Sequence, residues 1–273
     1  MPTKSRYRLI ALDIDGTLID GRRTVSPRMV SAITAAQNAG ATVSLATGRM
    51  LRSAVKYAEL SGAAGPVICY QGALTTTPGG GKVLRKIQLG PAEVRDSLAV
   101  MQAAGVHINV YVDDEIFVEG AAEWAKGYSE RMEVPLRFVE SLDTLAESGP
   151  LAILGVQEPD ATELVASVRA VLDGRARVTH SLRHFCEVGG RHGGKKAALE
   201  SLASQLGADR GAVVAFGDGQ GDEEMLAWAA LGVAVGDAHP DVLSAADVTV
   251  PGPESDGPAE FIEDLLRHGR IGA

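Results

Sequence analysis

Residues 9–19 read Leu9-Ile10-Ala11-Leu12-Asp13-Ile14-Asp15-Gly16-Thr17-Leu18-Ile19. An apolar run ends in two aspartates two positions apart, and Gly16 then breaks the pattern. Residues i and i+2 of a strand share a face, so the stretch reads as a buried strand that delivers two carboxylates side by side at its C-terminal end. Open α/β sheets place their ligands at that end. Neighbouring carboxylates repel unless a cation or a shared proton compensates. The stretch therefore asks for a divalent metal, an acid/base role, or both.

The pattern continues outward. Ser26-Pro27 reads as an N-cap followed by proline at the first helical position, and Val30, Ile33 and Ala36 keep helical spacing up to Gly40. A second strand over Thr42–Ala46 ends at Thr47-Gly48-Arg49, a helix runs to about Leu60, and a third strand spans 66–70. This βαβαβ order predicts a parallel sheet with crossover helices. The tail repeats it: a strand over 212–216 ending at Gly217-Asp218, a short helix, a strand ending at Gly236-Asp237, a short strand Val248–Val250 and a closing helix over 258–267. The middle differs. Gly79-Gly80-Gly81 turns a hairpin, and 88–183 holds helices at 92–104 and 161–172 among strands at 106–112, 116–118 and 151–156. The expected fold is α/β: a three-layer, Rossmann-like parallel-sheet core formed by 1–87 and 184–273, interrupted by an inserted α+β cap over 88–183.

Composition narrows the function. Hydrophobic residues are 45% of 273 but aromatics only 4%, so the core is aliphatic. A formal net charge of −9 argues against a nucleic-acid or anionic-membrane partner. No window suits a membrane span, and the short N-terminal apolar run ends in aspartates rather than a cleavage site, so a cytoplasmic location is expected. Cys69 and Cys186 lie in apolar strands and read as buried free thiols; no Cys/His cluster suggests zinc. A monomer or small homo-oligomer is expected.

Four groups fall where strands end or a helix opens: Asp13/Asp15, Thr47-Gly48, Asp218/Asp222 and Lys195. The strands of one parallel sheet share a C-terminal edge, so all four can converge. Phosphoryl transfer needs this set. One carboxylate attacks phosphorus, a second acid protonates the leaving oxygen, Mg²⁺ offsets the repulsion, and a hydroxyl, backbone N–H groups and a lysine hold the equatorial oxygens. Each group has a plainer reading by itself: Asp at a turn, Thr-Gly as an ordinary N-cap, a surface lysine, a solvated acidic turn.

Taken in order, Asp13-Ile14-Asp15-Gly16-Thr17, Thr47-Gly48-Arg49, Lys195-Lys196-Ala197-Ala198-Leu199 and Gly217-Asp218-Gly219-Gln220-Gly221-Asp222 resemble the four motifs of the haloacid dehalogenase superfamily. The long insert is similar to that of its Cof-type phosphatases. The resemblance implies Asp13 as nucleophile and Asp15 as general acid/base. It implies phosphate binding by Thr47, Gly48, Arg49 and Lys195. It assigns Mg²⁺ to Asp13, the backbone carbonyl of Asp15 and Asp218, with Asp222 supporting the metal or its waters. The implied substrate is a small phosphorylated metabolite, a sugar phosphate by default.

Three positions depart from the family pattern: Gly221 and Gln71 stand where asparagine is usual, and Asp237 where asparagine is frequent. They bear on rate, substrate and phosphate contacts rather than reaction class. Gly189-Gly190-Arg191-His192-Gly193-Gly194-Lys195-Lys196 nearly spells a nucleotide P-loop, but Lys196 replaces the hydroxyl residue that holds the metal. His107, Tyr111, Arg183, His184 and His192 lie in or near the cap and read first as structural. Open alternatives are a phosphomutase, a dehalogenase, and a catalytically weakened metabolite-binding protein.

Overall fold

The computed structural model describes residues 6–120 and 123–272. The chain begins β1 (Leu9–Leu12), α1 (Pro27–Asn38), β2 (Thr42–Ala46), α2 (Leu51–Ser61), β3 (Val67–Cys69), β4 (Leu74–Thr76) and β5 (Val83–Lys86). It continues through α3 (Pro91–Ala103), β6 (His107–Val112), β7 (Glu115–Glu119), α4 (Glu123–Met132), β8 (Leu136–Val139), β9 (Ala152–Val156), α5 (Thr162–Leu172), β10 (Ala176–Thr179) and β11 (Phe185–Gly190). It ends with α6 (Lys195–Gln205), β12 (Val213–Gly217), α7 (Glu223–Trp228), β13 (Leu231–Val235), α8 (Pro240–Ala245), β14 (Val248–Val250) and α9 (Gly257–Arg267).

Two sheets result. The first runs β14-β13-β12-β1-β2-β3-β4-β5 and is parallel from β14 to β3, with the β4–β5 hairpin added antiparallel at one edge. Strand β1 lies mid-sheet, so both its faces are covered and its four residues are fully buried. That is why it reads as an unbroken apolar run. Ile10 and Leu12 pack into the layer holding Ile33, Tyr57 and Ile262 of α1, α2 and α9. Leu9 and Ala11 pack into the opposite layer with Leu199, Met225 and Val242 of α6, α7 and α8. The three layers expected from the βαβ repeats are present. Each fully buried Leu or Ile contributes roughly 1.5–3 kcal/mol.

The second sheet runs β10-β11-β9-β6-β7-β8 and is antiparallel except for the β7–β8 pair. Helices α3 and α5 cover one face through Val94, Leu98, Leu164 and Val168. The other face, carrying Tyr111, Leu154 and Phe185, packs toward α4 and the first sheet. Strand β11 corrects the expected boundary at 184. Its residues 185–190 hydrogen-bond into this second sheet, where Phe185-Cys186-Glu187-Val188 alternates half-buried and buried positions. The sequence reading also passed over α4, β8 and β10. The β6–β7 turn, with Asp113 and Asp114 at positive φ, reaches back to the first sheet's layer. There the Asp114 carboxylate accepts from the Tyr70 hydroxyl at 2.8 Å and the Arg52 backbone N–H at 3.0 Å. Cys69 and Cys186 are free and buried.

Candidate active site

The carboxyl edge of the parallel strands gathers the four motifs. Asp13 follows β1 directly, its N–H donating to the Phe216 carbonyl of β12 at 3.0 Å. Asp218 follows β12. Lys195 opens α6, and its ammonium donates to Asp13 Oδ1 at 2.6 Å and Asp222 Oδ1 at 2.7 Å. The other Asp222 oxygen accepts the backbone N–H groups of Asp218 at 3.3 Å and Gly219 at 3.0 Å. Thr17 donates to Asp218 Oδ1 at 2.7 Å. Asp13, Asp218 and Asp222 each present a carboxylate oxygen, all within 4.8 Å of one another.

Glycine makes this approach possible. Gly16 has φ +80°, and a Cβ there would collide with the Asp218 carboxylate. Only glycine combines that left-handed backbone with that close contact.

The electrostatics follow from burial and crowding. Burial pushes the Asp13 carboxyl well above its ordinary pKa; Lys195 opposes this, and the charges of Asp222, Asp218 and Asp15 add to it. Burial also pushes Asp218 up to about 6, with the Thr17 hydrogen bond opposing and Asp222 adding. Burial disfavours the Lys195 charge, but Asp13 and Asp222 outweigh it and hold its pKa above the usual value. One ammonium among three clustered carboxylates leaves negative charge uncompensated. Hard oxygen donors in that state suit a divalent cation such as Mg²⁺.

Asp15 stands apart. Strand β1 stops at Leu12, so Asp13 and Asp15 follow the strand rather than alternate within it. The Asp15 side chain lies outside the Asp13/Asp218/Asp222 group and is 57% exposed. Its two oxygens accept from Arg49 Nε and a terminal Arg49 nitrogen, both at 2.6 Å. Arg49 is buried, braced by the Ser53 hydroxyl at 2.9 Å and lying 4.7 Å from the Tyr57 ring centre. Thr47 is buried and accepts the Arg49 N–H at 3.1 Å.

These groups line a cleft of about 490 Å³ between the two sheets, together with Gly48, Gln71, Tyr128, Phe185 and Glu187. The last three belong to the second-sheet unit, and the sequence reading missed them. A carboxylate at an alternating position of an otherwise apolar strand was the available signal for Glu187. The remaining flagged residues lie elsewhere. His107 contacts Asn109 at 2.8 Å and the Trp124 ring. Arg183 pairs with Asp160, and His184 packs on Phe185. Tyr111 is buried in a small cavity at the seam. The near-P-loop leaves an antiparallel strand rather than a parallel crossover, so its resemblance to a nucleotide loop ends with the letters.

Residues 10–262 match the model of one family, the haloacid dehalogenase-like hydrolases. The chain belongs to that family. Curated relatives of this hydrolase are phosphatases. It is 25% identical to the putative phosphatase YxeH of Bacillus subtilis (strain 168), covering 95% of this chain and 98% of that one. It is 27% identical to the 5-amino-6-(5-phospho-D-ribitylamino)uracil phosphatase YitU of the same organism, covering 94% and 97%. A haloacid dehalogenase-like hydrolase from Bacteroides thetaiotaomicron shares the fold with TM-score 0.84 and 26% identity, over 95% of this chain and all of that one. The hydrolase class and the α/β core with a cap, both expected from sequence, are met. No helix among the described residues is long and apolar enough to cross a membrane.

Proposed function

We propose that this hydrolase removes phosphate from small phosphorylated metabolites through an aspartyl-phosphate on Asp13. The observation that carries this is the meeting of three distant segments at one point, where Lys195 bridges Asp13 and Asp222 with Asp218 alongside. Lys195 fixes Asp13 Oδ1, which aims the other carboxylate oxygen at the cleft. That oxygen forms a bond to phosphorus as the bond to the leaving oxygen breaks. Asp15 gives its proton to the leaving oxygen, then takes one from the water that attacks the acyl phosphate and regenerates Asp13.

The Arg49–Asp15 pair has a part in this sequence. A phosphate dianion competes for the same guanidinium, so substrate entry frees Asp15, which takes a proton from solvent and then acts as acid, while Arg49 turns to the phosphate. Thr47 and the N–H of Gly48 stand beside it to share the equatorial oxygens. Asp13 and Asp218 would hold Mg²⁺, with the Asp15 carbonyl and Asp222 supporting. The ion supplies charge neutralisation between two anions that otherwise repel.

The cleft's position between the two units supports the unit around residues 88–190 as the part that sets substrate choice, with sugar phosphates as the default class. The test is phosphate release over a panel of phosphorylated metabolites, with and without Mg²⁺. Mg²⁺-dependent release that disappears in Asp13→Asn is expected; release that persists in that variant overturns the assignment. An acceptor alcohol in the same assay separates hydrolysis from phosphoryl transfer to a second substrate.

A further inference from the structure

Two departures from the family pattern, Gln71 and Gly221, meet in space. The Gln71 amide lies across two glycines: a Cβ on Gly48 would stand 2.6 Å from Gln71 Nε2, and a Cβ on Gly221 would stand 3.0 Å from Gln71 Oε1. An asparagine at 221 and this glutamine therefore compete for one space, and Gly221 is what lets the longer side chain lie there. The backbone beneath is fixed. Gln71 is left-handed at φ 51°, its N–H donates to the Thr47 carbonyl at 3.1 Å, and its carbonyl accepts from the Gly194 N–H at 2.9 Å. The loop before Lys195 and the loop after β2 thus hold the residue from both sides.

The amide is also oriented. Gln71 Nε2 donates to Glu187 Oε2 at 3.2 Å, and Ser181 Oγ donates to Glu187 Oε1 at 2.6 Å. Gln71 Oε1 then faces the Gly221 side of the cleft with no donor on it among the described residues. Thr179 also lies within hydrogen-bonding reach of the Glu187 carboxylate, so three side chains hold it and a lone pair stays open. Glu187 lines both the main cleft and the small seam cavity, beside the rings of Tyr128 and Phe185. This part of the cleft therefore sets acceptors beside aromatic rings. A polyol suits that surface: its C–H face packs on a ring while its hydroxyls donate outward. An ammonium is less suited, because the positive charge of Lys195 already acts on Glu187.

We propose that Glu187 and Gln71 form an acceptor couple that selects phosphate monoesters whose leaving group carries hydroxyls, and that Gly221 exists to seat Gln71. This deepens the phosphatase reading and rests on it. Glu187 touches the leaving group; Gln71 both contacts it and positions Glu187.

The experiment measures kcat/KM for sugar phosphates, their deoxy analogues, amino-sugar phosphates and p-nitrophenyl phosphate, all with Mg²⁺. In the unmutated protein, the sugar phosphate should exceed its best-discriminated deoxy analogue about 10- to 100-fold, the range for a hydrogen bond to a charged acceptor. Glu187→Gln should lower the selectivity ratio of sugar phosphate over p-nitrophenyl phosphate by a similar factor. Gly221→Asn should lower it too by displacing Gln71, and Gln71→Asn added to Gly221→Asn should recover part of it, which a merely structural role would not. A ratio unmoved in Glu187→Gln, equal rates on hydroxyl and deoxy substrates, or a preference for the amino sugar overturns this proposal while leaving the phosphatase reading intact. No phosphate release from any substrate sinks the phosphatase reading itself.

Discussion

The two ends of the cleft are built by different means. The Asp13 end comes from consecutive strand tips of one parallel sheet, with Lys195 as its hub. The Glu187 end is assembled across two sheets, from a loop after β3 and a strand of the inserted unit. On the proposed function, the first end carries groups any phosphate ester needs, and the second carries groups that only some leaving groups use. The same division separates what reaction is done from what it is done to.

Breaking the first end has the largest expected effect. Asp13→Asn removes the attacking oxygen and should lower phosphate release at least about 10⁴-fold for every substrate. Circular dichroism should show the fold intact, since burial already disfavours the charge at this position. Asp15→Asn should cost about 10²–10⁴-fold with alkyl esters, measured by initial rates. The loss should be visibly smaller for p-nitrophenyl phosphate, whose leaving group departs without a proton. An equal loss on both substrates would mean that Asp15 serves position rather than proton transfer.

The contrast also explains what could be read from the chain. Asp13, Thr47, Asp218 and Lys195 were legible because each sits at the end of a local element whose pattern is strong, and a parallel sheet brings such ends together by topology alone. Glu187 was not, because the pairing of its strand with β9 reaches back 37 residues in sequence, from Gly189 to Ala152. The polar helix α4, which supplies Tyr128, gave no apolar stripe to mark it. The Arg49–Asp15 pair escaped for a different reason: strand alternation was carried past Leu12, where the strand had already ended.

Metal binding sharpens the comparison, since the acidic group that could hold an ion, Asp13, Asp218 and Asp222, lies at the Asp13 end. The folded-state pKa of Asp218, about 6, lies above its ordinary 3.8. Without metal, the ionised form is therefore disfavoured in the fold. The contribution of Asp218 to stability is fully present below about pH 4 and is lost as pH rises through about 6. A bound cation reverses this by favouring the ionised carboxylates. Thermal melts should show Mg²⁺ raising Tm clearly at about pH 7.5 and much less at about pH 5, where protons compete for the same oxygens. Equal stabilisation at both pH values would place the ion elsewhere.

The smallest effect is expected at the seam. Asp114 is an acceptor supplied by the inserted unit to the Tyr70 hydroxyl and to the first turn of α2, where Met50 at the N-cap offers no side-chain acceptor. It serves as a borrowed cap, and its negative charge also suits the helix N-terminus. Asp114→Ala leaves a buried hydroxyl and a helical N–H without that partner, at a cost of about 1–2 kcal/mol, or roughly 2–6 °C in Tm. Asp114→Asn keeps an acceptor oxygen and should recover much of the loss. The Mg²⁺-induced rise in Tm should be the same in both variants as in the parent, because no group of the Asp13 cluster touches Asp114. A reduced Mg²⁺ response in Asp114→Ala would show instead that the seam and the acidic cluster are energetically coupled, and that closing the two units helps to assemble the metal site.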